Sequence, residues 1–393
     1  MEEWKIYKLG EITSKIGSGA TPKGGRDSYL GGNISLIRSQ NVLDFSFSKS
    51  GLAYINEMQA EKLNNVEVYE KDVLLNITGD SVARVCIVPN NVLPARVNQH
   101  VAIIRGNEKV DYRYLLYYLQ YIKPQLLSLS QGGATRNALT KKMIEELEIK
   151  MPSKGTQKEI VSILYTLDTK IALNRRINDN LEQQAQLLFD NLIDASDWST
   201  TQFLSELSEI NPPRKLSKGE YAPFVEMSNM PTSGSFPSRI DYKEYNGGMK
   251  FRNGDTIMAR ITPCLENGKA AYVNFLKENE IGFGSTEYIV LAPKKTISSS
   301  FLYFLVRNKE FVDYAVKHMN GSSGRQRVSG DTIGNYQLPI LDRNKLSIFI
   351  AIADRTLSKI RQNSFEILNL AKQRDTLLPK LMSGELKIND LNC

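Results

Sequence analysis

Residues 160–192 read IVSILYTLDTKIALNRRINDNLEQQAQLLFDNL, and residues 346–381 read LSIFIAIADRTLSKIRQNSFEILNLAKQRDTLLPKL. In the first stretch Ile160, Leu164, Leu167, Ile171, Asn174, Asn178, Leu181, Ala185, Leu188 and Leu192 recur at alternating steps of four and three, which is the seam of a heptad helix. Adding 186 to each gives the second seam: Leu346, Ile350, Ala353, Leu357, Ile360, Ser364, Ile367, Ala371, Arg374 and Leu378, with Leu381 following. Ala185 matches Ala371, Asp168 matches Asp354, and polar Asn178 matches polar Ser364. A polar residue in a seam costs stability and fixes register, so the matched breaks predict that the two helices pair with each other rather than entering separate cores. Ile160 to Leu192 is 33 residues, a helix about 50 Å long.

The segments between the helices repeat in the same order. KLGEITSKI from Lys8 corresponds to FLSELSEIN from Phe203, NISLIRSQNV from Asn33 to YAPFVEMSNM from Tyr221, and KDVLLNI from Lys71 to GDTIMARI from Gly254. VNQHVAII from Val97 corresponds to GSTEYIVL from Gly284, DYRYLLYYL from Asp111 to SSFLYFLV from Ser299, and the glycine-rich GGATRNAL from Gly132 to SSGRQRV from Ser322. The β-branched runs 72–77, 101–104, 256–261 and 288–291 predict strands, and 112–120 and 301–306 predict helices. The chain is therefore two mixed α/β (α+β) globules, each followed by a long helix, with divisions at 1–152, 153–197, 198–341 and 342–393.

The 393 residues, 41% hydrophobic and 24% charged, exclude disordered and collagen-like classes. Cys86, Cys264 and Cys393 are too far apart for a zinc ribbon and odd in number for a disulfide framework. With only His100 and His318, a histidine-rich metal site is not expected. No apolar run is long enough for a membrane span, and no signal segment opens the chain, so a cytoplasmic protein is expected. The net charge of +7 divides as +3 on residues 1–150, −2 on 151–198, +3 on 199–340 and +3 on 341–393, and the equal excess on the two globules suits two similar surfaces meeting one polyanion.

No phosphate-binding G-x-x-x-x-G-K-[ST] loop, dinucleotide fingerprint or serine triad occurs. Asn211-Pro212-Pro213 resembles the Asn-Pro-Pro-aromatic loop of amino-methyltransferases, but Arg214 stands where a ring should stack on a flipped base. The alternative for that stretch is a turn with Arg214 and Lys215 basic on its surface.

Taken in order, these segments resemble the specificity subunits of type I restriction-modification systems over essentially the whole chain. The resemblance is carried by IGSGATPKGGRDSYLGGNISLIRSQNV from Ile16, DVLLNITGDSVARVCIV from Asp72, VNQHVAIIR from Val97, GDTIMARITPCLENGKAAYV from Gly254 and GSTEYIVL from Gly284. The helix starts KGTQKEIVSILYTLDTKI and NKLSIFIAIADRTLSKI and the close LLPKLMSGELKI from Leu377 complete it. It implies two target-recognition domains, each reading half of a split sequence in double-stranded DNA, and an antiparallel coiled coil setting the gap. It also implies a subunit without catalysis or cofactor of its own. Two modification subunits bind S-adenosylmethionine and methylate adenine, and two optional restriction subunits use ATP and Mg. The alternatives are a specificity subunit of another two-domain restriction-modification type that cuts on both sides of its site, a self-sufficient DNA methyltransferase, and a coiled-coil scaffold that ignores DNA.

Base readout calls for Arg or Lys against guanine, Asn or Gln against adenine, and carboxylates against the cytosine amine. In the first globule the candidates are Arg38, Gln40 and Asn41, then Asn76 and Thr78, then Asn98, Gln99 and His100, the last of these expected to be structural. The matching places in the second hold Ser228 and Asn229, Arg260 and Thr262, and Ser285, Thr286 and Glu287. Arg136 and Arg325 in the glycine-rich loops suit phosphate, and Arg214 and Arg327 join the DNA-binding set. Because aligned positions differ chemically, an asymmetric target is expected. A four-residue insertion between Asn174 and Asn178 should shift the gap by a base pair or two. Two irregularities stand out in the last helix. Pro379 should end or kink it, and Arg374, opposite apolar Leu188, suggests a gap in the seam or a partner contact.

Overall fold

The apolar runs at 73–76 and 101–104 lack the in-out alternation of a half-solvated strand, and in the computed structural model both faces of these strands are covered. The structure describes residues 4–22, 29, 31–131, 137–322 and 324–387. Two compact units result, Met1–Lys170 with Leu370–Cys393, and Ile171–Asn369. The boundary crosses both long helices, so each unit is a globule together with one half of each helix.

In the first unit, β1 (Lys5–Lys8), β2 (Thr13–Ser18), β3 (Ile34–Ile37), β4 (Ala53–Ile55), α1 (Glu57–Glu61), β5 (Glu67–Val68), β6 (Val73–Asn76), β7 (Val85–Ile87), β8 (Ala95–Val97) and β9 (Val101–Gly106) precede three helices. These are α2 (Tyr112–Tyr121), α3 (Lys123–Ser130) and α4 (Lys141–Glu145), followed by β10 (Glu148–Met151) and the start of α5 (Lys154–Asp194). One sheet has the order β2-β9-β6-β7 and a second the order β4-β3-β8-β5, in which β3 and β8 run parallel. β1 pairs antiparallel with β10, bringing the two ends of the globule together. The first sheet is the middle layer. Val73, Leu75, Ala102 and Ile104 face α2 and the long helices, whereas Leu74, Cys86, Val101 and Ile103 face the second sheet. The Asp111 carboxylate accepts the N–H groups of Arg113 and Tyr114, starting α2 where the sequence places it.

The second unit repeats this plan strand for strand. Its elements are β11 (Thr201–Phe203), α6 (Leu204–Leu207), β12 (Ser208–Ile210), β13 (Tyr221–Val225), β14 (Asp241–Glu244), β15 (Lys250–Phe251), β16 (Thr256–Ala259), β17 (Ala270–Tyr272), β18 (Gly282–Gly284) and β19 (Tyr288–Pro293). They continue as α7 (Ser299–Arg307), α8 (Lys309–Lys317), α9 (Gly330–Gly334), β20 (Gln337–Pro339) and α10 (Arg343–Ser383). The sheets are β12-β19-β16-β17 and β14-β13-β18-β15, with the pair β11-β20, so every strand of the first unit has its counterpart ten strands later. Met258, Ile289 and Leu291 face the helices, and Ile257, Tyr288 and Val290 face the other sheet.

The helices α5 and α10 have 41 residues each, about 60 Å, longer than the seam alone predicts. They run antiparallel in both units. In the first, Ile160, Val161 and Leu164 of α5 pack with Leu378, Leu381 and Met382 of α10. In the second, Ala185, Phe189, Leu192 and Ile193 pack with Phe349, Ala353 and Leu357. The seam differs from the predicted one at two steps: in α10 Phe349 is buried and Ile350 only partly, and in α5 Phe189 takes the place of Leu188. Leu188 is 42% exposed and Phe189 fully buried, because the ring of Phe189 packs 5.1 Å from that of Phe301 and 5.5 Å from that of Phe349. Arg374, the counterpart of Leu188, accordingly lies on the flank. It bonds Asp168 at 2.8 Å and stacks 3.8 Å above the ring of Phe45, an intramolecular contact and not a gap. Pro379 does not end α10, which runs on to Ser383. The proline is on the exposed side, where water can take the carbonyl it leaves without a donor, and Gly384 (φ +78°) follows the last turn. Among the described residues no helix is long and apolar enough to cross a membrane.

Candidate nucleic-acid interface

Parallel strands put their C-terminal ends side by side, and in each unit the ends of one parallel pair, joined by the end of a strand from the other sheet, gather the polar residues that the sequence scatters over sixty positions. In the first unit the Asn98 N–H donates to the Ile37 carbonyl (3.0 Å), joining the ends of β8 and β3. The Asn76 amide, at the end of β6, donates to the Ser39 carbonyl (2.9 Å). The Thr78 hydroxyl lies 2.5 Å from His100 Nδ1, and His100 Nε2 lies 3.1 Å from the Gln99 amide. The glycine-rich loop joins the same rim, since the Gly79 N–H donates to the Asn137 carbonyl and the Leu139 N–H to that of Ile77. Arg136 lies outside the described residues.

Within this rim the candidates separate by burial. Asn41 is buried; its Oδ1 accepts the Arg38 N–H and its amide donates to the Ser48 (2.9 Å) and Ser50 (3.2 Å) carbonyls, so it shapes the loop 38–51. Asn76 and Asn98 are buried as well, and Asn98 Oδ1 accepts the His100 N–H. These three asparagines are corrections to the sequence reading: they hold the rim and do not extend from it. Arg38 is half-buried, with Nη2 on the Gly51 carbonyl (2.5 Å) and its guanidinium over the Tyr29 ring. Gln40 and Gln99 are exposed; the Gln40 amide donates to Gly51, and Gln99 Oε1 accepts from the Thr21 hydroxyl.

The second unit builds the same rim with other chemistry. The Arg260 N–H donates to the Glu287 carbonyl (3.0 Å) and the Val328 N–H to that of Arg260 (3.0 Å), so the end of β16 is laced to the turn after β18 and to the glycine-rich loop. The Thr262 N–H and hydroxyl both donate to the Gln326 carbonyl. The Glu287 N–H donates to Ser285 Oγ, the counterpart of the Asn98 turn. Arg327 grips Glu287 through Nε (2.9 Å) and Nη2 (2.7 Å) and donates from Nη1 to the Arg325 carbonyl. That bond holds the Glu287 carboxyl below its ordinary range and raises Arg327. Ser228, Thr286 and Arg325 are exposed, and Asn229 and Thr262 half-buried.

Strand register agrees with the segment matches and corrects the pairing of candidates within one of them. Thr256–Ala259 pair with β19 as Val73–Asn76 pair with β9, so Arg260 is the counterpart of Ile77 and Thr262 of Gly79, one place beyond the pairing with Asn76 and Thr78. Arg327 stands opposite Ala138, since the bridge Ile261–Arg327 repeats Thr78–Ala138. Arg214 is also corrected. It is not on the surface: its Nη2 bonds both oxygens of Asp255 (2.5 and 2.6 Å), and the two side chains are 7% and 1% exposed. Burial raises the Asp255 carboxyl despite the bonds it accepts. Asn211, with φ +52°, exchanges both its N–H and its Oδ1 with the Val290 backbone, so its amide is engaged in the sheet and unavailable to a base.

The sequence reading missed the glycines behind the rim. A Cβ on Gly19 would lie 1.8 Å from the Val97 carbonyl oxygen, and one on Gly284 2.4 Å from the Tyr288 ring. Gly19 and Gly284 are there for close backbone approach, and the absence of a nucleotide fingerprint around them was the available signal.

Comparison with known proteins accounts for the duplicated rim. The family model described as the type I restriction modification DNA specificity domain matches residues 1–183 and again 196–345. The type I restriction enzyme MjaIX specificity subunit of Methanocaldococcus jannaschii is 26% identical over 428 residues, which cover 99% of this chain and 95% of that one. The HindI specificity subunit of Haemophilus influenzae is 21% identical over 474 residues, covering 98% and 100%. Among solved structures, the type I restriction-modification S subunit from M. genitalium has a TM-score of 0.56 at 15% identity, over 97% of this chain and 96% of that one, and shows the same fold. With two family matches in tandem over most of its length, this chain belongs to the type I restriction-modification DNA specificity family.

Proposed function

We propose that the chain is the sequence-specificity subunit of a type I restriction-modification complex and that its globules read the two unlike halves of one interrupted DNA target. The observation that carries this is the pair of rims. The scaffold is the same strand for strand, but equivalent places hold Arg38 and Glu226, Gln40 and Ser228, Ile77 and Arg260, Gln99 and Thr286, His100 and Glu287, and Ala138 and Arg327. Identical frames with different hydrogen-bonding groups suit different bases. The paired helices set the number of unread base pairs between the half-sites. The chain supplies no catalytic group and no cofactor. S-adenosylmethionine is held by two modification subunits that methylate adenine, and ATP and Mg by two restriction subunits where these join. The complex works in the cytoplasm on double-stranded DNA.

The test is a methylome of cells that express this chain with the modification subunit encoded beside it. One bipartite sequence with unlike halves and a fixed gap is the expected result; methylation without a defined sequence, or by the chain alone, contradicts the proposal.

A further inference from the structure

Most arginines near the rim of the second unit are already engaged. Arg214 is bound to Asp255 and Arg327 to Glu287, and Arg307 donates to the carbonyls of Thr232, Gly234 and Gly268. Arg260, on the rim itself, has no such tie. Its Nε is shielded from solvent and has no hydrogen-bond partner among the described residues, as is also true of Arg38 Nε in the first unit and of Arg214 Nε, although Arg214 is bound to Asp255 through Nη2. Leaving a guanidinium donor dry and unpaired is costly, and such a group is tolerated where a ligand brings the missing acceptor. The side chain also starts from a fixed base, because the Arg260 N–H and carbonyl are tied to Glu287 and Val328.

We infer that Arg260 reads a guanine in the half-site taken by the second globule, an assignment that rests on the reading of the chain as a DNA specificity subunit. Guanine presents O6 and N7 to the major groove, two acceptors that match the arginine fork. Guanine is a better match than phosphate because the Glu287 carboxylate, close enough to feel the charge of Arg260, can face the amine of the cytosine paired with that guanine. Arg327 neutralises Glu287 and keeps it from drawing Arg260 into an ion pair of its own. In the first unit the equivalent places are Ile77 and His100, which offer no fork, so this particular contact belongs to the second globule's half-site.

The experiment compares native chain, Arg260→Gln and Arg325→Ala, each assembled with the modification subunit, on DNA libraries randomised over both half-sites. The native complex should require a G·C pair at one position of one half-site. Arg260→Gln should lower methylation of the native target about 10- to 100-fold and relax that position alone, with the other half-site and the gap unchanged. Arg325→Ala, altering an exposed loop cation, should lower affinity for all sequences alike and flatten the salt dependence. Replacing the guanine by 7-deazaguanine removes N7 without touching the protein; it should weaken the native complex about 10-fold and leave Arg260→Gln no worse. A uniform loss in Arg260→Gln like that of Arg325→Ala, or a half-site with no sensitive guanine, overturns the assignment while leaving the specificity function standing. A native complex that selects no sequence overturns both.

Discussion

Arginine has one charge and several possible fates, and in this chain the fate is set by what the fold brings opposite it. Arg214 follows two prolines and precedes a lysine, which reads as a basic surface turn; its partner Asp255 lies 41 positions away and was visible only as the start of a strand. Once both are buried, the pair is a structural tie. Arg214→Ala should cost about 3–5 kcal/mol, because it leaves a carboxylate buried without its counter-charge. Urea unfolding of the full chain checks the loss, and the methylated sequence should not change; an altered target with native stability would return Arg214 to the interface. The same logic separates Asn41, Asn76 and Asn98 from Gln40 and Gln99. The sequence shows that amides cluster at strand ends, whereas which of them are buried depends on loops folding back from residues 46–51, and no local pattern announces that.

At the scale of the helix, periodicity was the more reliable guide, since burying one stripe along about nine turns constrains the sequence at every third or fourth place. Its resolution is one residue at best. Leu188 and Phe189 are both apolar and adjacent, and the aromatic contacts of the second globule, not the heptad, decide between them. Pro379 was misread for a related reason, as the rule against helical proline assumes a carbonyl that cannot reach water. The polar breaks, by contrast, were legible. Asn178 Nδ2 donates to Ser364 Oγ (3.3 Å), Asn178 Oδ1 accepts from the buried Asn363 amide (2.8 Å), and the Asn174 amide donates to Glu366 (2.8 Å). Because α5 is locked to α10 here, a four-residue insertion in α5 alone would slide the seams out of register, and a change of gap requires matched insertions in both helices. Asn178→Leu should destabilise the chain by about 1–3 kcal/mol, leaving the Asn363 amide buried and unpaired. Asn178→Leu combined with Asn363→Leu should regain most of the loss. Urea midpoints of the single and double variants decide; equal loss in both would mean that the amides stabilise the seam in their own right.

Over the whole molecule, repetition carried the fold further than any single motif. Strand order, the closing pairs β1-β10 and β11-β20, and the offset of 186 all describe one unit made twice. Asn178 and Ser364 are the place where a residue meets its own counterpart, so the helix pair has a local two-fold there. The second unit is continuous in sequence, with both of its helix halves inside Ile171–Asn369. A chain made of two tandem copies of residues 179–364 keeps the globule and most of both helix halves, losing only 171–178 and 365–369 of the unit, and because Ser364 is equivalent to Asn178, the junction continues the heptads without a break. Both copies would present the rim of Arg260, Thr286, Glu287 and Arg327. Two identical readers should take identical half-sites, so the target should become an interrupted sequence whose two parts are both the native second half-site. The methylome of cells expressing this chain with the same modification subunit reads the outcome directly. Two unlike half-sites would show that sequence choice is set outside the rim, by something the two identical copies do not share.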